Sequence, residues 1–228
     1  MTALTPPDSE IDMPVTRMSP SQRRSTRFLL IGGVAATPLL VILWAVQAIT
    51  RPGFRASFHP MSLLSLGDLG WVQVLNFVMT GALIIGGGIG LGRALEVGRL
   101  TRWASALIVA MGVGLVVAGV FVTDAGAGFP EGAPPGAPQM SWHGAVHEAG
   151  FVLTQLSFLA AGVVLAVRFA RSHQYGWAVA CVASIIGAVS VAALGHPSSL
   201  APRLVISAVL ELGLVSALAL GSLLQRAR

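Results

Sequence analysis

Six runs of about 20 mostly apolar residues, each long enough to cross the hydrocarbon core of a bilayer as a helix, constrain this chain more than any other feature. They fall at 28–49, 71–92, 103–123, 144–168, 176–195 and 204–224. In hydrocarbon, backbone N–H and C=O groups have no water to bond, and a run of this length satisfies them by coiling into a helix. The fold class is therefore all-α: a polytopic membrane protein with six transmembrane helices over residues 28–224. Trp71, Trp103, Trp142 and Trp177 lie at or near the ends of these runs, where amphipathic rings anchor a helix at the interface. Residues 1–27 carry Pro6, Pro7, Pro14 and Pro20 among scattered charges and read as a disordered cytoplasmic tail, with 225–228 as a short C-terminal tail. The first run exceeds the apolar core of a signal peptide, and Ala48-Ile49-Thr50 is a poor cleavage site.

Charged residues make up 10% of the chain, against about a quarter in soluble domains, which excludes an ordinary soluble enzyme. The net charge of +5 comes from 14 arginines and no lysine. No dense basic patch with interleaved aromatics accompanies it, so nucleic acid is not expected as a partner. The arginines instead report topology. With the N-terminus inside, Arg17, Arg23, Arg24, Arg27, Arg93, Arg99, Arg102, Arg168, Arg171, Arg226 and Arg228 fall on the cytoplasmic side, and only Arg51, Arg55 and Arg203 outside. That bias places both termini in the cytoplasm of a multi-pass protein of the cell's inner (plasma) membrane. The single cysteine, Cys181, leaves no intrachain disulfide or thiolate cluster. The glycine run from Gly86 to Gly92 lies inside an apolar segment with no preceding strand and no following Lys-Ser/Thr, which excludes a nucleotide loop and points to close helix packing. Gln73, Asn76 and Thr80 share one face of the second run, and that face is expected to point into the bundle.

Polar chemistry gathers at the outer face. His59, His143, His147 and His196 fall there with Asp68, Asp124, Glu131, Glu148 and Arg203. His143 and His147 are four residues apart at the start of the fourth run, so both rings can share a helix face. That spacing suits two nitrogen ligands of Zn²⁺, with Asp124 as third ligand or His59 or His196 in its place, and water as fourth. Glu148 would then be a general base. The same histidines can equally serve as interfacial, capping or carboxylate-bonded groups. His59 and His196 each precede a proline, which by itself accounts for an extended local backbone. Glu211 lies near the middle of the sixth run, where a carboxylate is usually paired or functional. Arg203, Ser207 and Glu211 repeat at i, i+4 and i+8, and His147, Thr154 and Gln155 form a looser flank. These stripes line an outward-opening cavity or act as interhelical glue. The proline-rich stretch 131–138 is a lid or a spacer.

The stretch Phe58-His59-Pro60-Met61-Ser62-Leu63-Leu64-Ser65-Leu66-Gly67, the run Gly70-Trp71-Val72-Gln73-Val74-Leu75-Asn76-Phe77 with Gly81, Gly119-Val120-Phe121 with Asp124, and the His143/His147 pair together resemble the signature of a bacterial integral-membrane family, DUF998. That resemblance covers roughly residues 28–224 and implies a six-helix bundle without an assigned activity. An Asp and a His-x-x-x-His pair beside a serine are more distantly similar to the ceramidase-like membrane hydrolases. That similarity implies Asp124, His143 and His147 as zinc ligands and Ser62 or Ser65 as a supporting hydroxyl. The expected function is then an integral membrane protein with a His/Asp-rich outer site that binds lipid headgroups or a small ligand through His59, His196, Arg203 and Glu211. The alternatives are a zinc-dependent lipid amide or ester hydrolase using Glu148 and Ser62, and a proton-coupled transporter or structural membrane protein. Membrane lipids are the expected partners, and no nucleotide is.

Overall fold

A computed structural model describes residues 19–196 and 199–227 of the chain. Six helices account for most of them: α1 (Pro20–Thr50), α2 (Gly70–Ala94), α3 (Arg99–Val120), α4 (Trp142–Arg171), α5 (Tyr175–Ala193) and α6 (Leu200–Ala227). A single 3₁₀ turn, Met61–Ser65, interrupts the α1–α2 connection. All six helices are long and apolar enough to cross a membrane, and the molecule is an all-α, multi-pass membrane protein.

Hydropathy located the six helices but not their ends. α1 begins at Pro20, where the Ser19 side chain accepts from the Gln22 backbone and the Gln22 side chain accepts from the Ser19 backbone, a capping box with Pro at the first turn. Residues 20–27 therefore belong to α1 and not to a disordered tail, and residues 1–18 lie outside the described residues. At the other terminus α6 continues to Ala227, so most of the expected C-terminal tail is helix, and position 228 lies outside the described residues. The physical reason is common to both ends. Apolar content marks where a helix meets lipid, while capping marks where it starts or stops.

The helices follow chain order around a ring, α6 returning to α1, and α2 also touches α6 across the interior. One side of the ring is held by backbone approach. A methyl group added at Gly81 of α2 would lie 2.6 Å from the carbonyl oxygen of Gly112 in α3, and one at Gly112 the same distance from Gly81. Gly114 of α3 and Gly150 of α4 meet in the same way, at 2.6 and 2.7 Å. Such small-residue contacts are how membrane helices gain packing without a hydrophobic driving force. The polar face of α2 points inward as its spacing required: Gln73, Asn76 and Thr80 are all 0% exposed. Gln47 of α1 donates to Gln73 Oε1 at 2.7 Å, and Asn76 Nδ2 donates to the Leu40 carbonyl at 3.2 Å. Thr37 and Ser216 hydrogen-bond at 2.8 Å and join α1 to α6.

The other side is more open. α4 meets α5 through Gly162 against Ile185 and, nearer the chain termini, Phe169 stacked on Trp177. α5 is tied to α6 by Ser184 Oγ donating to the Leu210 carbonyl at 2.8 Å. Toward the far end, a cavity separates α4 from α6. The α1–α2 and α3–α4 connections roof it, locked together by a small apolar cluster of Phe54, Leu63, Leu64 and Phe129. Gly112→Val should cost about 1–3 kcal/mol or more through forced separation of α2 and α3. Gly213→Ala, at a position with nothing within 4 Å, should be tolerated, as thermal unfolding of detergent-solubilised protein would register.

Candidate functional site

The cavity between α4 and α6 has a volume of about 310 Å³, at the small end of ligand pockets. Its walls are mainly apolar, with Leu40, Phe77, Leu115, Phe151 and Leu212 among them. Against that background Asp124, His147, Glu148, Gln155 and Glu211 also line it. Glu211 is 3% exposed. Its Oε1 accepts from Gln155 Nε2 at 2.8 Å and from Ser207 Oγ at 2.8 Å, so the carboxyl bridges α6 to α4. A carboxyl this deep in a bundle needs such partners.

The histidine pair closes the α3–α4 corner. His147 Nδ1 lies 2.8 Å from the Ala118 carbonyl and 3.0 Å from the Phe121 carbonyl, at the last turn of α3. Carbonyls only accept, so Nδ1 carries a proton and donates it. His143 Nδ1 donates likewise to the Val122 carbonyl at 2.9 Å. Both rings thus satisfy carbonyls that the end of α3 leaves without helical partners.

Asp124 sits at the start of α4. Its Oδ2 accepts the Ser141 N–H at 2.8 Å, while Ser141 Oγ caps the helix by accepting the Gly144 N–H at 3.1 Å. The carboxylate lies against Gly144, where a methyl group would collide with it. Hydrogen bonds from the Ser141 hydroxyl and backbone, with smaller contributions from His143 and His147, hold the Asp124 carboxyl below its usual range despite some desolvation. An anion at a helix N-terminus is stabilised in the same sense by the helix dipole.

The residues expected to bind zinc are therefore neighbours with other duties. His143 Nε2 is 3.8 Å from Asp124 Oδ1, too far for a hydrogen bond, and Asp124 Oδ2 is taken by Ser141. Among the described residues, no group of three His, Cys, Asp or Glu side chains is placed to hold a metal ion. The Asp124, His143 and His147 side chains instead make hydrogen bonds that join α3 and the segment after it to α4. Ser62 lines the cavity, and its carbonyl accepts from Ser65 Oγ at 2.7 Å. Glu148 is exposed at the cavity edge.

Two further expectations change with the geometry. His59 is buried outside the cavity lining. Its Nδ1 accepts the Arg55 N–H at 2.9 Å and its Nε2 donates to the Ala127 carbonyl at 3.1 Å, so both nitrogens are used in latching the two roof loops. Burial pushes its pKa down, against the Ala127 bond. Arg203 does not reach into the cavity. Its guanidinium donates to the carbonyls of Ala192, Leu194, His196 and Ser199 and closes the C-terminal end of α5, a common use of arginine there. His196 contributes its carbonyl to that closure and lies at the exposed turn. The α3–α4 connection is a roof, since Gly126, Ala127 and Pro138 line the cavity. The decisive partner of Glu211, Gln155, was visible only as part of a loose polar flank, because spacing along one helix does not reveal a bond to another.

Because the folded state lowers the Asp124 pKa, its stabilisation is present above the unfolded value, about 3.9, and is lost as pH falls through the lower folded value. Asp124→Asn should therefore unfold at lower temperature than wild type near neutral pH, and the gap should narrow on acidification below about pH 4. A pH series of thermal unfolding curves checks this.

No curated protein and no solved structure matches the chain, and the similarity to ceramidase-like hydrolases gains no support from them. The model of a protein family of unknown function, DUF998, matches residues 34–223, and the chain belongs to that family.

Proposed function

We propose that this protein binds a membrane amphiphile, its hydrocarbon chain seated in the cavity between α4 and α6 and its polar end beside Glu211, Gln155 and Glu148. The observation that carries the reading is a mostly apolar cavity of about 310 Å³ with a hydrogen-bonded carboxyl at its depth. An apolar pocket with a few convergent polar groups fits a ligand that is apolar along most of its length and polar at one point. Phe151 and Glu148 are both exposed on the α4 side of the cavity, which supports access from the lipid or its interface. Of the residues expected to bind a ligand, Glu211 stays in this proposal. His59, His196 and Arg203 act around it, in the roof and in the α5–α6 turn.

A photoreactive fatty-chain lipid incorporated in nanodiscs should label Phe151, Leu204 or Leu212 by mass spectrometry. Ala208→Phe, which fills the cavity from α6, should reduce that labelling severalfold. Equal labelling of the variant, or labelling spread evenly over outward-facing residues such as Ile186 and Val179, would overturn the proposal.

We further infer that the cavity opens on the outer side, with both termini cytoplasmic. Eleven of the 14 arginines support this orientation. Within the bundle, Arg93 Nη1 donates to Ser25 Oγ at 3.3 Å and Arg226 Nη2 to the Arg93 carbonyl at 3.2 Å, so the helix ends nearest the termini share one face. Reporter fusions after Arg99 and Arg171 should read cytoplasmic, and one after Glu131 external. The reverse pattern would refute the orientation while leaving the cavity in place.

A further inference from the structure

We propose that the amphiphile recognised by this cavity carries an ammonium or other strongly hydrogen-bond-donating head, and that anionic amphiphiles are excluded. This rests on the amphiphile-binding reading above and adds the chemical class of the head.

Several donors of the polar lining are used inside the protein, while Ser62 and Thr123 also line the cavity. Gln155 gives an amide hydrogen to Glu211 at 2.8 Å. The Thr154 hydroxyl donates to the Met111 or Gly150 carbonyl, at 3.2 and 3.0 Å. The His147 Nδ1 proton is committed to the carbonyls at the end of α3. What these groups leave open is mostly acceptor capacity: Gln155 Oε1 and the second oxygen of Glu211, whose two bonds both fall on Oε1, beside the second hydrogen of Gln155 Nε2. Glu148 and Asp124 add two more carboxyl groups to the lining.

The charges point the same way. Three carboxyl residues line the cavity, and no arginine does. The cation nearest along α6, Arg203, has its guanidinium occupied by four carbonyls at the end of α5. An ammonium head has three donors and no acceptor, the complement of this set. Placed beside Glu211 it would give a charge-assisted bond in a site poor in water, where such bonds are strongest. A carboxylate or phosphate head would meet acceptors and like charge.

The test uses the full-length protein in uncharged maltoside micelles, titrated calorimetrically at about pH 8 with decylamine, decanol and decanoic acid. At that pH the amine is cationic and the carboxylic acid anionic. Decylamine should bind at least about tenfold more tightly than the other two. Glu211→Gln should reduce that preference severalfold while retaining decanol binding. Should that variant fail to fold, Glu148→Gln, at the exposed edge of the cavity, should weaken the same preference. Equal or tighter binding of decanol or decanoic acid overturns the ammonium assignment and leaves the amphiphile reading standing. So does a preference undiminished in every folded variant. If none of the three binds wild type better than Ala208→Phe, the amphiphile reading itself fails. Dihexanoyl phosphatidylethanolamine against dihexanoyl phosphatidylglycerol separates the sources of the head. Preference for the first assigns a lipid headgroup, and binding of decylamine alone assigns a free amine.

Discussion

Backbone-to-backbone approach at glycine is the constraint on which the rest of this structure depends. Where α2, α3 and α4 meet through Gly81 with Gly112 and Gly114 with Gly150, no side chain separates the helices and no cavity can open. The other side has fewer such contacts. Gly162 brings α4 against Ile185 in the middle of α5, and α4 stands away from α6 where the cavity lies. The cavity is the geometric remainder of a ring tight on one side and splayed on the other. A soluble protein would tend to collapse such a gap to recover apolar burial. In a membrane the driving force for collapse is weak, since lipid tails are as apolar as the cavity walls.

That background changes the role of polar groups. Hydrogen bonds between helices stand in for the missing hydrophobic drive, and the chain spends them at fixed depths. Gln47 with Gln73, and Asn76 with the Leu40 carbonyl, join α1 to α2. Gln155 with Glu211 joins α4 to α6 beside the cavity. The first set is enclosed by packed helices and needs no ligand. The second borders open volume.

Much of this was legible in the sequence. Six helices follow from six apolar runs, and the inward face of α2 follows from Gln73, Asn76 and Thr80 at helical spacing. The termini of α1 and α6 were misplaced because Ser19, Pro20 and Gln22 set the start of α1 through capping, which hydropathy does not sense. The histidines of the inter-helix connections and of the start of α4 were legible as candidates and not in their roles. His143 and His147 share a helix face as expected, but the acceptors they meet are backbone carbonyls of α3. Carbonyls have no sequence signature, so a His-x-x-x-His pair reads the same whether it binds metal or closes a helix end. Arg203 illustrates the same blindness: its partners are four carbonyls of the α5–α6 turn.

The distribution of donors and acceptors then limits what the cavity can be for. Each unpaired buried polar group costs about 1–3 kcal/mol, and the α1–α2 amide seam itself leaves Gln47 Oε1 and Gln73 Nε2 without a partner. Around Glu211 the balance runs toward acceptors: three carboxyl residues line the cavity, and the Arg203 guanidinium is bound to carbonyls at the end of α5. Had Arg203 turned inward, Arg203, Ser207 and Glu211 would have formed a closed stripe along α6, as their spacing suggested. Among the described residues, no arginine lines the cavity. An acceptor-rich pocket bounded by apolar walls therefore favours a partner that brings its own donors, and the walls favour one that brings a hydrocarbon chain with them.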